Sequence, residues 1–105
     1  MKPFKVKINA RAFLDIEEIT NWYNEQIPNL GVRFQKNLRL QINTLRYNSY
    51  SYSVRYDDIR CMLVKKFPFL IHYSIDEANQ IVNVYSIIHT SRNPKTWRQK
   101  ITKPK

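Results

Sequence analysis

Leu30, Phe34, Leu38, Ile42 and Leu45 recur at spacings of 4, 4, 4 and 3. That rhythm lines up one side of an α-helix and scatters over both faces of a strand. The other faces of this stretch, LGVRFQKNLRLQINTLRY, carry Arg33, Lys36, Arg39 and Arg46 and no acid. The preceding segment, ARAFLDIEEITNWYNEQI, sets Phe13, Ile16, Ile19, Tyr23 and Ile27 at helical spacing. Asp15, Glu17 and Glu18 stand in its first turns, where the helix dipole favours negative charge. Asn9 is a residue type suited to cap it, and Asn29 suits the second helix. Only Pro28-Asn29 breaks the pattern between them, so the pair is expected to be an antiparallel hairpin.

The flanking segments have a different period. FKVKI, residues 4 to 8, alternates Phe4, Val6 and Ile8 against Lys5 and Lys7, as a half-buried strand does. Residues 48 to 58 are polar and tyrosine-rich and read as a loop with a short strand near 53–56. Three strands are expected next: 60–67, 69–75 after Pro68, and 80–89 after the Asp76–Asn79 turn. The order strand, helix, helix, strands is that of an α+β fold, a mostly antiparallel sheet with the hairpin on one face. The other sheet face is expected to be left for another purpose. Residues 1–105 read as one domain, with a core over about 1–93 and a basic tail over 94–105 that opens with a short helix and ends loosely.

Composition narrows the function. Eighteen Lys and Arg against eight Asp and Glu give a net charge of +10, which suits a polyanionic partner such as nucleic acid, the ribosome, a membrane surface or an acidic protein. A solvated basic surface is the plain alternative. The one glycine, Gly31, excludes a glycine-rich phosphate loop or dinucleotide fingerprint. One cysteine, Cys61, and two histidines are too few for a typical structural zinc site, so neither a metal nor a cofactor is expected. Cys61 reads as a buried thiol in a reducing cytosol. The start of the chain lacks a signal-peptide pattern, and no stretch is apolar enough to span a bilayer, so a soluble cytoplasmic protein is expected, without membrane attachment.

What remains is a set of basic and aromatic side chains on the sheet. On the expected register, Asn83, Tyr85, Ile87 and His89 share a face, and Lys65 and Lys66 lie on the first strand of the meander. Arg60, Lys65 or Lys66, His72, Tyr85, His89 and Arg92 would hold a phosphate backbone near stacked bases. The same set would cleave RNA without metal, with His89 moving the proton and Arg92 clamping the phosphate. Each residue also has a structural reading: His89 and His72 as hydrogen-bonded residues of the fold, Lys65 and Lys66 as strand-edge protection, Trp97 as an anchor for the tail.

KKFPFLIHYSID, then a strand, then IIHTSRNPKTW, together with FKVKI, ARAFLDIEEI and the helical hairpin, resembles the RelE/ParE family of toxins from bacterial type II toxin–antitoxin systems. The resemblance spans nearly the whole chain. It implies a small sheet with a helical hairpin on one side and a cognate antitoxin, acidic and partly disordered, in a toxin–antitoxin hetero-oligomer. Some family members cleave mRNA at the ribosome; others poison DNA gyrase. On the ribonuclease branch, Arg60, Lys65 and Lys66 fall on the central-strand positions and Arg92 on the later arginine. The candidate catalytic residues are then His89, Arg92, Lys65 and Arg60. Lys66, Tyr85, Lys95, Trp97 and Arg98 are the candidates for target binding. That branch often carries a C-terminal tyrosine or histidine, and beyond Arg92 this chain has Trp97 and Arg98 instead. The ending His89-x-x-Arg92 resembles the gyrase-directed branch, which implies no catalytic residues. The primary expectation is ribosome-dependent mRNA cleavage. Gyrase poisoning, or a non-toxic antitoxin-binding module, is the alternative.

Overall fold

In a computed structural model, residues 2–101 are described. They form β1 (Lys5–Ile8), α1 (Ala10–Gln26), α2 (Leu30–Asn48), a 3-10 turn (Ser49–Ser51), β2 (Val54–Tyr56), β3 (Ile59–Leu63), β4 (Phe69–Asp76), β5 (Ile81–His89) and a second 3-10 helix, Pro94–Lys100. The strands make one sheet of order β1-β5-β4-β3-β2. β1 lies parallel to β5, and the other neighbours are antiparallel. The expected α+β architecture is the observed one. Residues 102–105, the end of the basic tail expected over 94–105, lie outside the described residues.

α2 buries the stripe its spacing dictates: Phe34, Leu38, Ile42 and Leu45 share one core with Met62, Ile71, Tyr73, Val82, Val84 and Ile87 of the sheet and with Val64 just past β3. Phe34 meets Phe67 at 5.2 Å and Phe69 at 5.7 Å, both edge to face, a favoured aromatic geometry. α1 turns differently from its apolar pattern. Ala12, Asp15, Thr20 and Tyr23 are its buried residues, while Phe13 and Ile27 are 59% and 57% exposed. Small and hydrogen-bonded residues let α1 approach β5 and α2 closely. Gly31 shows how closely: a Cβ there would overlap the Thr20 carbonyl oxygen, and its N–H donates to Asn24 Oδ1 at 2.7 Å. Neither Asn9 nor Asn29 caps its helix through the side chain; Asn29 instead adopts φ 70°, which asparagine tolerates better than most residues.

Two strand expectations change. β3 ends at Leu63, so Lys65 and Lys66 stand in the β3–β4 turn, where Lys66 takes φ 71°. A bulge at His72/Tyr73 also shifts the β4–β5 register. Ile87 therefore joins the helix-side core, while the Tyr85 hydroxyl lies 2.8 Å from Ser74 Oγ on the opposite side. A bulge inserts one residue and changes which side chains face inward beyond it, and nothing local in the sequence announces it.

The second sheet face is closed. Trp97, from the second 3-10 helix, is 5% exposed and packs with Cys61, Ile88, Tyr56 and Leu70. Its ring stands edge-on to His72 at 4.8 Å. The tail is thus part of the folded body at least through Trp97.

Candidate functional site

β5 ends at His89, which pairs with Phe69 across β4 and lays its ring against that phenyl at 5.0 Å. The chain then turns sharply, with Arg92 N–H donating to the His89 carbonyl at 3.0 Å. Ser91 N–H donates to His89 Nδ1 at 3.0 Å. An imidazole nitrogen that accepts carries no proton, so the ring's N–H is on Nε2. Arg92 is exposed. The 3-10 helix returns alongside, and His89, Arg92 and Lys100 line one cleft of about 110 Å³ with Asp15 and Glu18 of α1.

Asp15 is the buried wall of this cleft. Its Oδ2 accepts from Ser86 Oγ at 2.6 Å and from Ile87 N–H at 3.0 Å. Oδ1 lies 3.2 Å from Arg11 Nε. The carboxylate thus satisfies a β5 amide just past the bulge, which accounts for a buried acid in a helix that packs on the sheet. Lys100 sits below the ordinary lysine range: burial lowers it first, then the charge of Arg92, while Asp15 pulls it back.

The other sequence candidates do not join this group. The Arg60 guanidinium donates to the Tyr52 carbonyl and lies over the Tyr50 ring at 5.4 Å, so it pins the loop before β2. It pairs with Tyr73, four positions along β4 from the partner of His89 and two strands away, roughly 16 Å between backbones. The Lys65 backbone is held by α2, its N–H by Gln41 Oε1 and its carbonyl by Asn37 Nδ2; the side chains of Lys65 and Lys66 are exposed. Tyr85 is buried. Trp97 is likewise buried and offers no open ring face to a base. Arg98 pairs with Asp57 at 3.0 Å and lies over Tyr56 at 5.5 Å. Lys95 is exposed at the start of the 3-10 helix, where its backbone N–H caps onto Asn93 Oδ1 at 3.0 Å. Of the residues the sequence singles out, His89 and Arg92 meet in this cleft; Lys100 and the acids facing it were not among them, because the tail's return to α1 leaves no periodic signal.

Behind the tail lies a second polar cluster. His72 Nδ1 is hydrogen-bonded to the Tyr56 hydroxyl at 2.9 Å and lies 3.5 Å from Cys61 Sγ. Burial pushes His72 down to about 4 and Cys61 up to about 11, which leaves a neutral imidazole beside a protonated thiol. Such a thiol is a poor nucleophile. Among the described residues there is no group of three or more His, Cys, Asp or Glu side chains placed to hold a metal ion.

Between the two helices, Ile8, Phe13, Ile16, Leu38 and Ile42 line a groove of about 230 Å³ with Arg39, and on α2 Val32, Leu40, Lys36 and Arg39 line its neighbour. No helix of the described residues is long and apolar enough to cross a membrane.

Residues 6–94 match the family model described as ParE toxin of type II toxin-antitoxin system, parDE. Among solved structures, the fold is similar to a chromosomal ParDE toxin–antitoxin system from P. aeruginosa, with a TM-score of 0.74 and 14% identity over 84% of this chain and 97% of that one. It is also similar to the RelBE2 toxin-antitoxin complex from Mycobacterium tuberculosis, with a TM-score of 0.57 and 13% identity over 83% and 98% of the two chains. Among curated proteins none is similar enough to count as a relative.

Proposed function

From the premise that this chain belongs to the ParE toxin family of type II toxin–antitoxin systems, we propose that it arrests bacterial growth by binding DNA gyrase rather than by cutting RNA. One observation carries this reading. Of the four residues proposed as an RNA-cleaving set, only His89 and Arg92 meet in the cleft; Arg60 is engaged by its own loop and Lys65 stands in a turn. In-line cleavage of RNA needs an acid, a base and cations around one phosphate, whereas inhibition by binding needs only a complementary surface.

A second reading, ribosome-dependent mRNA cleavage, is favoured by the meeting of His89, Arg92 and Lys100 at one cleft. Inducing the chain in a bacterial host and pulse-labelling DNA and protein synthesis separates the two. The gyrase reading expects DNA synthesis to fall first, and purified chain to inhibit supercoiling. Loss of protein synthesis with DNA synthesis intact overturns it in favour of RNA cleavage. On either reading Arg92→Ala, an exposed substitution, is expected to abolish arrest with a stability change within about 0.5 kcal/mol; undiminished arrest removes Arg92 from the site.

The partner in this role is an antitoxin. The apolar groove on the hairpin, rimmed by Lys36 and Arg39, supports docking of an acidic amphipathic segment that folds on binding. Leu40→Glu, at a residue 61% exposed, is expected to weaken antitoxin binding without unfolding the toxin. Unchanged affinity by calorimetry would place the antitoxin elsewhere.

A further inference from the structure

The acids of this basic chain are gathered on one helix. Four of the eight, Asp15, Glu17, Glu18 and Glu25, stand on α1, while α2 carries Arg33, Lys36, Arg39 and Arg46 and no acid. Asp15 is engaged inside the fold. Glu17, Glu18 and Glu25 are exposed, and so are Arg33, Lys36 and Arg39. Among the described residues, none of these six makes an ion pair within the chain. The two helices lie side by side and run in opposite directions: Phe13 and Ile16 stand level with Arg39 and Ile42, and Thr20 stands level with Gln35. Large apolar side chains interrupt the charges on both, with Phe13, Val32 and Leu40 all more than half exposed. Exposed apolar groups set among charges in this way are the mark of a surface that meets another protein.

We propose that the free chain pairs with a second copy of itself through the outer side of this hairpin, with α1 of each copy lying on α2 of the other. A two-fold axis running along the hairpin above the groove brings this about. It carries α1 over to face α2 of the second copy at the same level, so the facing helices are antiparallel and the contact closes as a four-helix layer. Glu17, which stands beside Gln35 in its own chain, then faces Lys36 and Arg39 of the second copy. Phe13 enters the groove between the helices beside Ile42. Charge complementarity selects the occupant. An acidic segment would match α2 alone and a basic one α1 alone, whereas a second copy matches both, twice over. The other two-fold arrangement, with its axis across the helices, sets acid on acid and base on base, which is repulsive. The net charge of +10 opposes pairing at long range, but at about 0.15 M salt that repulsion is screened beyond roughly 8 Å while contacting pairs persist. The pairing needs neither the gyrase nor the antitoxin reading. It covers the groove proposed above for the antitoxin, so the two compete.

The test is sedimentation equilibrium of the purified full chain, freed of nucleic acid, from about 1 μM to about 1 mM. A monomer–dimer equilibrium is expected. Glu17→Arg and Arg39→Glu, both at exposed positions, are each expected to weaken pairing about tenfold, since each sets two like-charge contacts in every dimer. An equal mixture of the two variants is expected to regain the original affinity, because one half of the mixed pair carries the exchanged charges and the other half the native ones. A monomer at every concentration would overturn the proposal and leave antitoxin docking, measured against the antitoxin itself, untouched. Dimers that neither substitution weakens would also overturn it, placing the contact elsewhere. A mixture no tighter than its components would sink the α1-on-α2 arrangement. Should Arg39→Glu disturb the amide spectrum of the chain, Lys36→Glu takes its place in the mixture and is read in the same way.

Discussion

The two faces of this sheet are closed by different means. On one, α1 and α2 lay down a continuous apolar layer in which Phe34 and Leu45 are fully buried. On the other, one indole does most of the covering, and beneath it lie a histidine, a cysteine and a tyrosine. The first face is redundant, since many side chains share the burial. The second depends on Trp97, whose own Nε1 is buried without a hydrogen-bond partner, a cost set at the centre of the covering residue itself. A sheet can thus be stable on one side and only latched on the other.

The contrast can be broken from either side. Phe34→Ala should cost about 4 kcal/mol, because a cavity at the centre of the aromatic cluster has no easy way to collapse. Urea unfolding should show it as a fall in midpoint, and a loss below about 1.5 kcal/mol would mean that the helix side is not the dominant core. Trp97→Ala should cost somewhat less, about 3 kcal/mol, since the tail can leave and let water reach the polar cluster. Faster proteolysis within 94–100 while the rest resists would confirm a latch; uniform proteolysis would make the tail integral to the core.

Acid should find the same difference. His72 titrates near 4 in the folded chain against an ordinary 6.5, so the unfolded chain binds the proton more readily. Its contribution is present above pH 6.5 and is lost as pH falls from about 6.5 to about 4, up to roughly 3 kcal/mol in all. His72→Leu should flatten that slope of stability against pH; an unchanged slope would assign it to other groups. The smallest effect belongs to Arg98→Ala. Its ion pair with Asp57 is 64% and 52% exposed, so little change in the urea midpoint is expected, and a loss as large as that of Trp97→Ala would show that the pair holds the tail down.

What could be read in advance follows the same division. α2 was legible because its burial is all apolar and periodic. α1 was legible as a helix but not in its facing, since Ala12, Asp15 and Thr20 go inside for reasons of size and hydrogen bonding that hydrophobic spacing does not register. Asp15 in particular looks like a dipole acid until the β5 amide it satisfies is known. The site was half legible. His89 and Arg92 stand three positions apart in sequence and announce a basic strand end. Lys100 joins them only through the 3-10 return, and Lys65 and Lys66 looked like strand residues because β3 stops early, at Leu63.

The bond between Asp15 and Ser86 closes a loop of 71 residues, and Lys100 comes later still. During synthesis the hairpin is complete long before β5 exists to receive it. At about 5–20 residues per second, roughly 4–14 seconds separate the making of Asp15 from that of Ser86. Through that interval the cleft has one wall. A growing chain therefore cannot complete this cleft until translation has passed residue 100.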